Sequence, residues 1–351
     1  MNKKTAIILF NLGGPDSLSS VKFFLFNLFY DKNIIRLPNP FRWVIAKIIS
    51  NRREETAKKI YSLIGGKSPI LEETKKQAAA LKKELNKDDA KNKYDVFVSM
   101  RYWRPFSREV VREISRRNKE FSNLILLPLY PQFSTTTTKS SVEEFKSLAI
   151  GTAIENLPTK TICCFYKDAD FLKAHAKIIK ASIEKAGVDA MILFSAHGLP
   201  ESIVKDGDPY KWQVENTVKE VVKILKCKNP YKTCYQSKVG PMKWLEPSTE
   251  KEIELCAKAK KQVVIVPISF VSEHSETLVE LDIEYKEAFH KKGGEGYYRV
   301  PALSVEKAFV KSLAGTCKKV SKAFLEGGNQ TCSSTLRKEC PNKYKGCLCY
   351  E

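Results

Sequence analysis

Ala190-Met-Ile-Leu-Phe-Ser-Ala-His-Gly-Leu-Pro200 sets the frame for reading this chain. Its first six residues, Ala190–Ser195, form a run too short for a buried helix. Gly198 and Pro200 close it, so it reads as a buried β-strand followed by a loop at its carboxyl end. Five other runs have the same character: Ala6–Phe10, Asp95–Met100, Leu124–Leu129, Thr161–Phe165 and Val263–Ser269. Between them lie lysine-rich amphipathic segments that read as helices, among them Glu72–Leu85, Arg108–Arg117, Phe171–Ala186 and Val214–Leu225. Strands that are apolar throughout, alternating with helices, imply an α/β fold with parallel sheets covered on both faces.

The halves look alike at this level, with about three strong strands each and no close sequence repeat. A chain of 351 residues suits two domains. The polar stretch Gly151–Lys160 is the natural boundary. The expected organisation is a first lobe over 1–155, a second over 156–303, a helix Ser304–Leu325 packing back on the first lobe, and a tail over 327–351 without periodicity.

Hydrophobic residues make up 43 % and charged residues 28 % of the chain, the balance of a water-soluble globular protein. The opening MNKKTAIILFN reads as a first strand, because Asn11 interrupts the apolar run and no small-residue cleavage site follows. No stretch approaches the ~20 apolar residues that span a bilayer, so the expectation is a cytoplasmic protein. The formal charge is +20. Its basic residues are spread along the chain without a nucleic-acid motif, which argues against a nucleic-acid partner. An anionic membrane surface or a carboxylate-bearing substrate suits that charge better. Val21–Ser50 adds Phe23, Phe24, Phe26, Phe29, Tyr30, Phe41 and Trp43 around a Pro38–Pro40 turn. These read either as two core-facing helices or as an apolar lip touching a large flat ligand or a membrane.

The chemistry-bearing residues gather at strand ends. Ligands of open α/β sheets bind there. Asn11-Leu-Gly-Gly-Pro15 follows the first strand but lacks a third glycine, so it is no dinucleotide fingerprint. His197 follows the Ala190 strand. Ser269–Tyr285 follows another, with His274 ahead of Glu276, Glu280 and Glu284. Carboxylates four apart line one helix face and repel each other, an unusual stripe in so basic a chain. Carboxylates with histidine suit a divalent first-row metal or a proton relay. Ser99-Met-Arg-Tyr-Trp103, Tyr130-Pro-Gln-Phe-Ser134, Gly65-Gly-Lys-Ser-Pro-Ile70 and Tyr235-Gln-Ser-Lys-Val-Gly-Pro241 complete the set.

Taken in order and spacing, NLGGP, IGGKSPI, MRYW, YPQFS, FSAHGLP, YQSKVGP and SEHSETLVELDIEY resemble the ferrochelatase family over residues 5 to about 325. The resemblance implies two Rossmann-like lobes around a porphyrin cleft, and a lyase that inserts Fe²⁺ into protoporphyrin IX as the last step of haem synthesis. It implies His197 and Glu276 as the catalytic and metal-facing pair, with His274 and Glu280 as a relay for iron or protons. It implies Leu12, Ser68, Arg101, Tyr102, Tyr130 and Tyr235 as porphyrin-binding. Tyr235 stands where some relatives carry tryptophan. The related alternatives are a coproporphyrin ferrochelatase or a cobalt chelatase, and ELDIEY resembles the protoporphyrin branch more. A two-lobed haem- or metal-binding protein without turnover is the non-enzymatic alternative.

Ten cysteines without a secretory signal are expected as thiols or metal ligands. Cys332, Cys340, Cys347 and Cys349 crowd the last twenty residues. Four thiolates suffice for a [2Fe–2S] cluster; zinc or plain thiols remain open. Some members of the family hold such a cluster with tail cysteines and one internal cysteine, and Thr135 stands where that internal cysteine would be.

Overall fold

The computed structural model describes residues 4–87, 93–324 and 334–349. Two four-stranded parallel sheets carry it. The first contains β1 (Lys4–Asn11), β2 (Tyr94–Met100), β3 (Phe121–Pro128) and β4 (Thr159–Thr161), in the order β2-β1-β3-β4. The second contains β5 (Met191–His197), β6 (Tyr231–Gln236), β7 (Val263–Pro267) and β8 (Tyr297–Arg299), in the order β6-β5-β7-β8. The two orders are the same. β1 and β5 are the inner strands on which each sheet is built, and Ile7, Ile8, Leu9, Ile192, Leu193 and Phe194 are fully buried because helices cover both faces.

The helices are α1 (Val21–Phe29), α2 (Phe41–Ser62), α3 (Ile70–Asn86), α4 (Ser107–Arg116), α5 (Ser140–Ala149), α6 (Ala169–Ala186), α7 (Glu201–Lys205), α8 (Tyr210–Leu225), α9 (Thr249–Lys258), α10 (Tyr285–Lys291) and α11 (Lys307–Ala323). Two segments, Thr135–Lys139 and Glu276–Glu284, are π-helical. α11 begins where the Glu306 carboxylate accepts from the Ala308 and Phe309 amides. Its buried stripe, Phe309, Leu313, Cys317 and Val320, packs on α6 of the second lobe and on α3 and β3 of the first.

Three expectations are corrected. β4 covers only Thr159–Thr161 rather than 161–165, and it joins the first sheet beside β3. The first lobe therefore runs past the expected boundary at residue 155. The first sheet takes four of the six expected runs, and the second adds two strands that lie outside them, β6 and β8. Part of the expected tail, 327–333 and 350–351, lies outside the described residues, as does Leu325.

One apolar core unites the lobes, with Ile7 and Leu9 in the same cluster as Phe194, Val264 and Val266. Buried polar contacts also cross between them. Asn11 Nδ2 donates to Thr74 Oγ1 at 3.0 Å and to Ser272 Oγ at 3.3 Å, and Gln77 Nε2 donates to the Val271 carbonyl at 2.7 Å. Asn11 ends β1 and Ser272 follows β7, so the carboxyl ends of the two sheets face each other. In each sheet the winding reverses between the two inner strands, β1/β3 and β5/β7, and that crevice is where such folds bind ligands.

Candidate active site

The second lobe's crevice holds the titratable groups. His197 ends β5, and its side chain is 39 % exposed. Gly198 keeps the chain close to β6. Its amide donates to the Gln236 carbonyl at 2.8 Å, and a Cβ there would press on that oxygen and on Trp244. Beyond β7, the π-helical segment brings Glu276 back across the crevice, and Glu276 Oε2 lies 2.7 Å from His197 Nδ1. π turns close i→i+5 and recur at functional sites. Here the Tyr285 amide donates to the Glu280 carbonyl, which keeps Glu276 and Glu280 on one side. Glu284, the third of the stripe, is exposed.

Ser237 joins the two carboxylates. Its Oγ donates to Glu276 Oε2 at 2.8 Å and lies 2.5 Å from Glu280 Oε2, while its amide donates to Glu280 Oε1 at 2.9 Å. It adopts φ 63°, a left-handed conformation uncommon for serine, and such strain persists only when the surroundings hold it. Gln236 Nε2 at 3.0 Å and Tyr285 OH at 2.8 Å also donate to Glu280. His274 Nε2 stands 4.0 Å from Glu276 Oε1, its ring against Phe270.

These contacts separate the protonation states. Burial disfavours the imidazolium of His197, but the charge and hydrogen bond of Glu276 outweigh it and raise the pKa. Burial likewise opposes ionisation of Glu276, yet His197, His274 and Ser237 carry its pKa below the carboxylate range. Glu280 goes the other way, raised by burial and then by the Glu276 charge. Burial lowers His274, which has no compensating hydrogen bond. The result is a hydrogen-bonded histidine–glutamate unit, in which each partner favours the charged form of the other, beside a carboxyl group shifted towards its protonated form.

The first lobe's candidate residues are arranged otherwise. Gly13, at φ 85°, and Gly14 let the loop after β1 lie against Trp103 and Ser68, where a Cβ on Gly14 would overlap Ser68. Ser68 is buried, its amide donating to the Pro15 carbonyl at 2.8 Å. Leu12 is half-buried, and its carbonyl accepts from the Tyr102 amide at 2.9 Å. Tyr130, just after β3, is half-buried as well. Arg101 is held by Asp31 at 3.0 Å, by Glu144 at 2.8 Å and by Ser140 at 2.7 Å. Tyr102 is 1 % exposed, its hydroxyl donating to Asp31 at 2.7 Å. Tyr235 is 3 % exposed, within the core. Tyr102 and Tyr235 are therefore packed beneath the site rather than lining an open surface.

Sequence reading missed Ser237, Gln236, Tyr285 and Asp31. The first two were visible in Tyr235-Gln-Ser, but a serine in a turn carries no mark of the two carboxylates it will bind. It also missed Tyr61, whose hydroxyl lies within hydrogen-bonding reach of Ser275 and whose pKa is pushed up to about 12, chiefly by burial. Tyr61 lies on α2, so the lip reaches the Glu276 segment. Val21, Phe24 and Leu25 of α1 pack on Tyr61 and Tyr102, whereas Phe23, Phe41 and Trp43 are 62 %, 66 % and 44 % exposed. Val21–Ser50 thus has one face buried in the core and one face of exposed aromatics. Among the described residues no helix is long and apolar enough to cross a membrane.

A second constellation lies apart from this one. Cys163, Cys347 and Cys349 bring their sulfurs within 4.8 Å of one another. Cys340 pairs with Cys347 and accepts from Gln213 Nε2 at 3.1 Å, and Cys164 Sγ lies 3.7 Å from Cys163 Sγ. The pocket wall is Phe133, Tyr166, Trp212 and Tyr344. Cys332, the remaining expected ligand, lies outside the described residues. The donor set is all sulfur, in an apolar pocket, which fits an iron–sulfur cluster or zinc and not a hard cation. Two concavities of about 420 and 430 Å³ lie elsewhere, lined by groups such as Asp95 and Arg117, or Arg36 and Lys139, and include none of these residues.

Comparison with known proteins agrees with this geometry. A family model described as Ferrochelatase matches residues 4–320. A protein of Rickettsia felis named "Ferrochelatase" is 52 % identical over an alignment of 353 residues, spanning 99 % of this chain and 99 % of that protein. One from a Wolbachia of Drosophila simulans, with the same name, is 54 % identical over 318 residues, 90 % of this chain and 98 % of that protein. Among solved structures, SirB from Bacillus subtilis with Fe³⁺ covers 92 % of this chain and 98 % of its own with a TM-score of 0.54, at 13 % identity, a likeness of fold alone.

Proposed function

The chain belongs to the ferrochelatase family and inserts ferrous iron into a porphyrin in haem synthesis; from that premise we propose that His197, held by Glu276, is the base that takes up the pyrrole protons. Insertion replaces two N–H protons by one Fe²⁺, so two protons must leave for each metal that enters. The observation that carries the reading is the 2.7 Å contact of His197 Nδ1 with Glu276 at the crevice between β5 and β7. With Nδ1 donating to Glu276, Nε2 is the nitrogen left to accept a proton, and the partner carboxylate strengthens it as a base. Ser237 bridges Glu276 to Glu280, whose raised pKa makes it the next proton holder. His274 stands beside this route. Oxygen ligands also suit a ferrous ion that must be handed on, since thiolates would hold it more firmly.

Protoporphyrin is the proposed substrate. The exposed aromatic face of the lip suits its apolar vinyl edge, with Leu12, Ser68 and Tyr130 near the opposing strand ends. The test is an anaerobic metallation assay with Fe²⁺ against protoporphyrin and coproporphyrin. Faster turnover of protoporphyrin is expected; a clear preference for coproporphyrin overturns the substrate, and no turnover of either by folded protein overturns the assignment of His197 as its base. We propose further that the lip rests on an anionic membrane surface, and that the cysteine pocket holds a [2Fe–2S] cluster. When bound, the cluster would supply four strong thiolate bonds that fasten the tail. Cys340, Cys347 and Cys349 would hold it from the tail side. The chain from residue 334 to 349 forms no helix or strand, so its fixed position depends on side-chain contacts of this kind.

A further inference from the structure

We infer that Arg299, at the end of β8, is a positioning residue for the reaction: its guanidinium fixes the acidic segment on both sides of Glu276 and so sets the reach of Glu276 to His197. This rests on the reading of that pair and deepens it. Residues 273–284 carry five carboxylates, Glu273, Glu276, Glu280, Asp282 and Glu284, and no lysine or arginine. Like charges a turn apart destabilise a helix, and π turns are seldom stable in long runs. Such a segment needs a hold from outside itself.

Arg299 supplies that hold at two points. Its Nε donates to Asp282 Oδ1 at 2.7 Å and its Nη2 lies 2.6 Å from Asp282 Oδ2, a two-pronged grip on one carboxylate. Its Nη1 donates to Glu273 Oε1 at 2.8 Å. Glu273 precedes Glu276 by three residues and Asp282 follows it by six, so one guanidinium spans the stretch that carries the reacting carboxylate. The planar fork of arginine can meet two carboxylates at once, which a point charge on a flexible stem cannot do with the same geometry. The side chains of Arg299 and Glu273 are 12 % and 18 % exposed. Burial opposes both charges and the pairing outweighs it, leaving Glu273 below its ordinary value and Arg299 firmly protonated. Glu273 thereby differs from Glu280, which is shifted the other way.

β8 is the frame for this hold. Arg299 lies beside Ile265 of β7, and the Val300 amide donates to the Ile265 carbonyl at 2.8 Å. Tyr297 OH donates to the Leu281 carbonyl at 2.6 Å, next to Asp282, and the Ala302 amide donates to Glu273 Oε1 at 2.9 Å. A strand of three residues and its continuation therefore hold both flanks of the segment. The guanidinium's hydrogen bonds go to Glu273, Asp282 and the Val300 carbonyl, so Arg299 acts through Glu276 and not on the porphyrin. Glu276 in turn meets His197 and Ser237 through the same oxygen, Oε2, at 2.7 and 2.8 Å. A displacement of about 1 Å breaks contacts this short, and misplacement of that size costs up to about 10²-fold in rate.

The test measures kcat, porphyrin affinity by fluorescence quenching and melting temperature for the full chain and for Arg299→Gln, Arg299→Lys, Asp282→Asn and Glu276→Gln, together with the double variants that join Arg299→Gln or Asp282→Asn to Glu276→Gln. Arg299→Gln should lower kcat by about 10–100-fold, the usual cost of losing the partner that orients a working side chain, with porphyrin affinity within about twofold of the wild type. Arg299→Lys keeps the charge and should recover part of that loss. The double variant decides. A carboxylate that has been replaced can no longer be misplaced, so Arg299→Gln should cost little further once Glu276 is Gln. A full multiplicative loss in the double variant makes Arg299 a structural residue only and overturns the inference, as does a wild-type kcat in folded Arg299→Gln. Should Arg299→Gln not fold, Asp282→Asn carries the same comparison, since its side chain is 35 % exposed and one arm to Glu273 remains. A loss of kcat that vanishes in the Glu276→Gln background supports the inference; a wild-type kcat or a multiplicative loss overturns it. Glu276→Gln at the wild-type rate overturns the reading of the His197–Glu276 pair and the inference with it, whereas an impaired Glu276→Gln with a multiplicative Arg299 effect overturns the inference alone.

Discussion

The two lobes share one topology, β2-β1-β3-β4 and β6-β5-β7-β8, yet the same crevice serves different ends in each. In the second lobe the loops after β5 and β7 present His197 and Glu276, with Glu280 behind them. In the first, the loop after β1 is Asn11-Leu-Gly-Gly-Pro15. The charges nearby, Asp31, Arg101 and Glu144, are locked to each other and fasten the end of α1 to β2 and α5. The pKa values follow the division. Arg101, whose charge burial opposes and Asp31 and Glu144 favour, stays firmly protonated; His197 is raised by the Glu276 charge against its burial, and Glu280 is raised by burial and by the Glu276 charge. A duplicated sheet order thus fixes where a site can form, and only the loops decide whether it titrates.

The sharpest way to break this contrast is His197→Ala. Turnover should fall by about 10²–10⁴-fold, the usual worth of a positioned base, while porphyrin affinity measured by fluorescence quenching changes little. A near-normal rate would mean that the second lobe's crevice is no more chemical than the first's. Glu276→Gln is the next largest. The wild-type rate should rise with pH through the raised pKa of His197, because only the neutral ring accepts a proton. Removing the carboxylate leaves burial opposed only by the Glu280 charge, so the acid limb of kcat/KM should move to lower pH as the rate falls. Folding stability runs the opposite way. The histidine's contribution is complete below its unfolded pKa of about 6.5 and fades as pH rises through the higher folded value. The glutamate's is complete above about 4.3 and fades as pH falls through its depressed value. Urea unfolding midpoints across that range give the check.

Asp31→Asn tests the first lobe. It keeps the shape but strips the charge from a fully buried group that answers Arg101. Breaking such a pair costs about 3–5 kcal/mol. The expected outcome is a lowered melting temperature with a loss of turnover smaller than that of His197→Ala, and an unchanged pH profile. A shifted pH profile would show that the two crevices share one titration.

What the sequence disclosed divides along physical lines. Buried strands such as Ala190–Ser195 were legible because parallel strands covered on both faces are apolar at every position. β6 was not, since Tyr231 and Lys232 at its start are exposed and break the run, and β8 has only three residues. His197 could be picked out because it ends a strand, and Glu276 because it opens the acidic stripe that follows another. Their 79-residue separation hides the pairing, and the π turn that delivers Glu276 leaves no 3.6-residue period to read. Cys163 and Cys164 were absorbed into an apolar run, where cysteine passes as a small hydrophobe. Only the docking of a tail more than 180 residues away reveals them as donors.

The smallest effect is expected at the lip, where the comparison runs between two faces of one helical pair. The inner face, Val21, Phe24 and Leu25, is buried on Tyr61 and Tyr102, and substitutions there should unfold the pair. The outer face is different. Phe41 and Trp43 are largely exposed, and Lys47 and Arg42 lie over Trp43 and Tyr30. Exposed aromatics beside cations are the pattern that enters the headgroup layer of an anionic membrane. Replacing Phe41 and Trp43 together by serine removes no core contact, so stability should hold within about 0.5 kcal/mol. Losing part of two aromatic side chains' transfer energy, about 1–2 kcal/mol in all, should weaken sedimentation with phosphatidylglycerol vesicles by about tenfold. Turnover of detergent-dispersed porphyrin should stay near the wild-type rate. If the rate falls while vesicle binding persists, the outer face grips the porphyrin itself, and the lip belongs to the cleft rather than to the membrane.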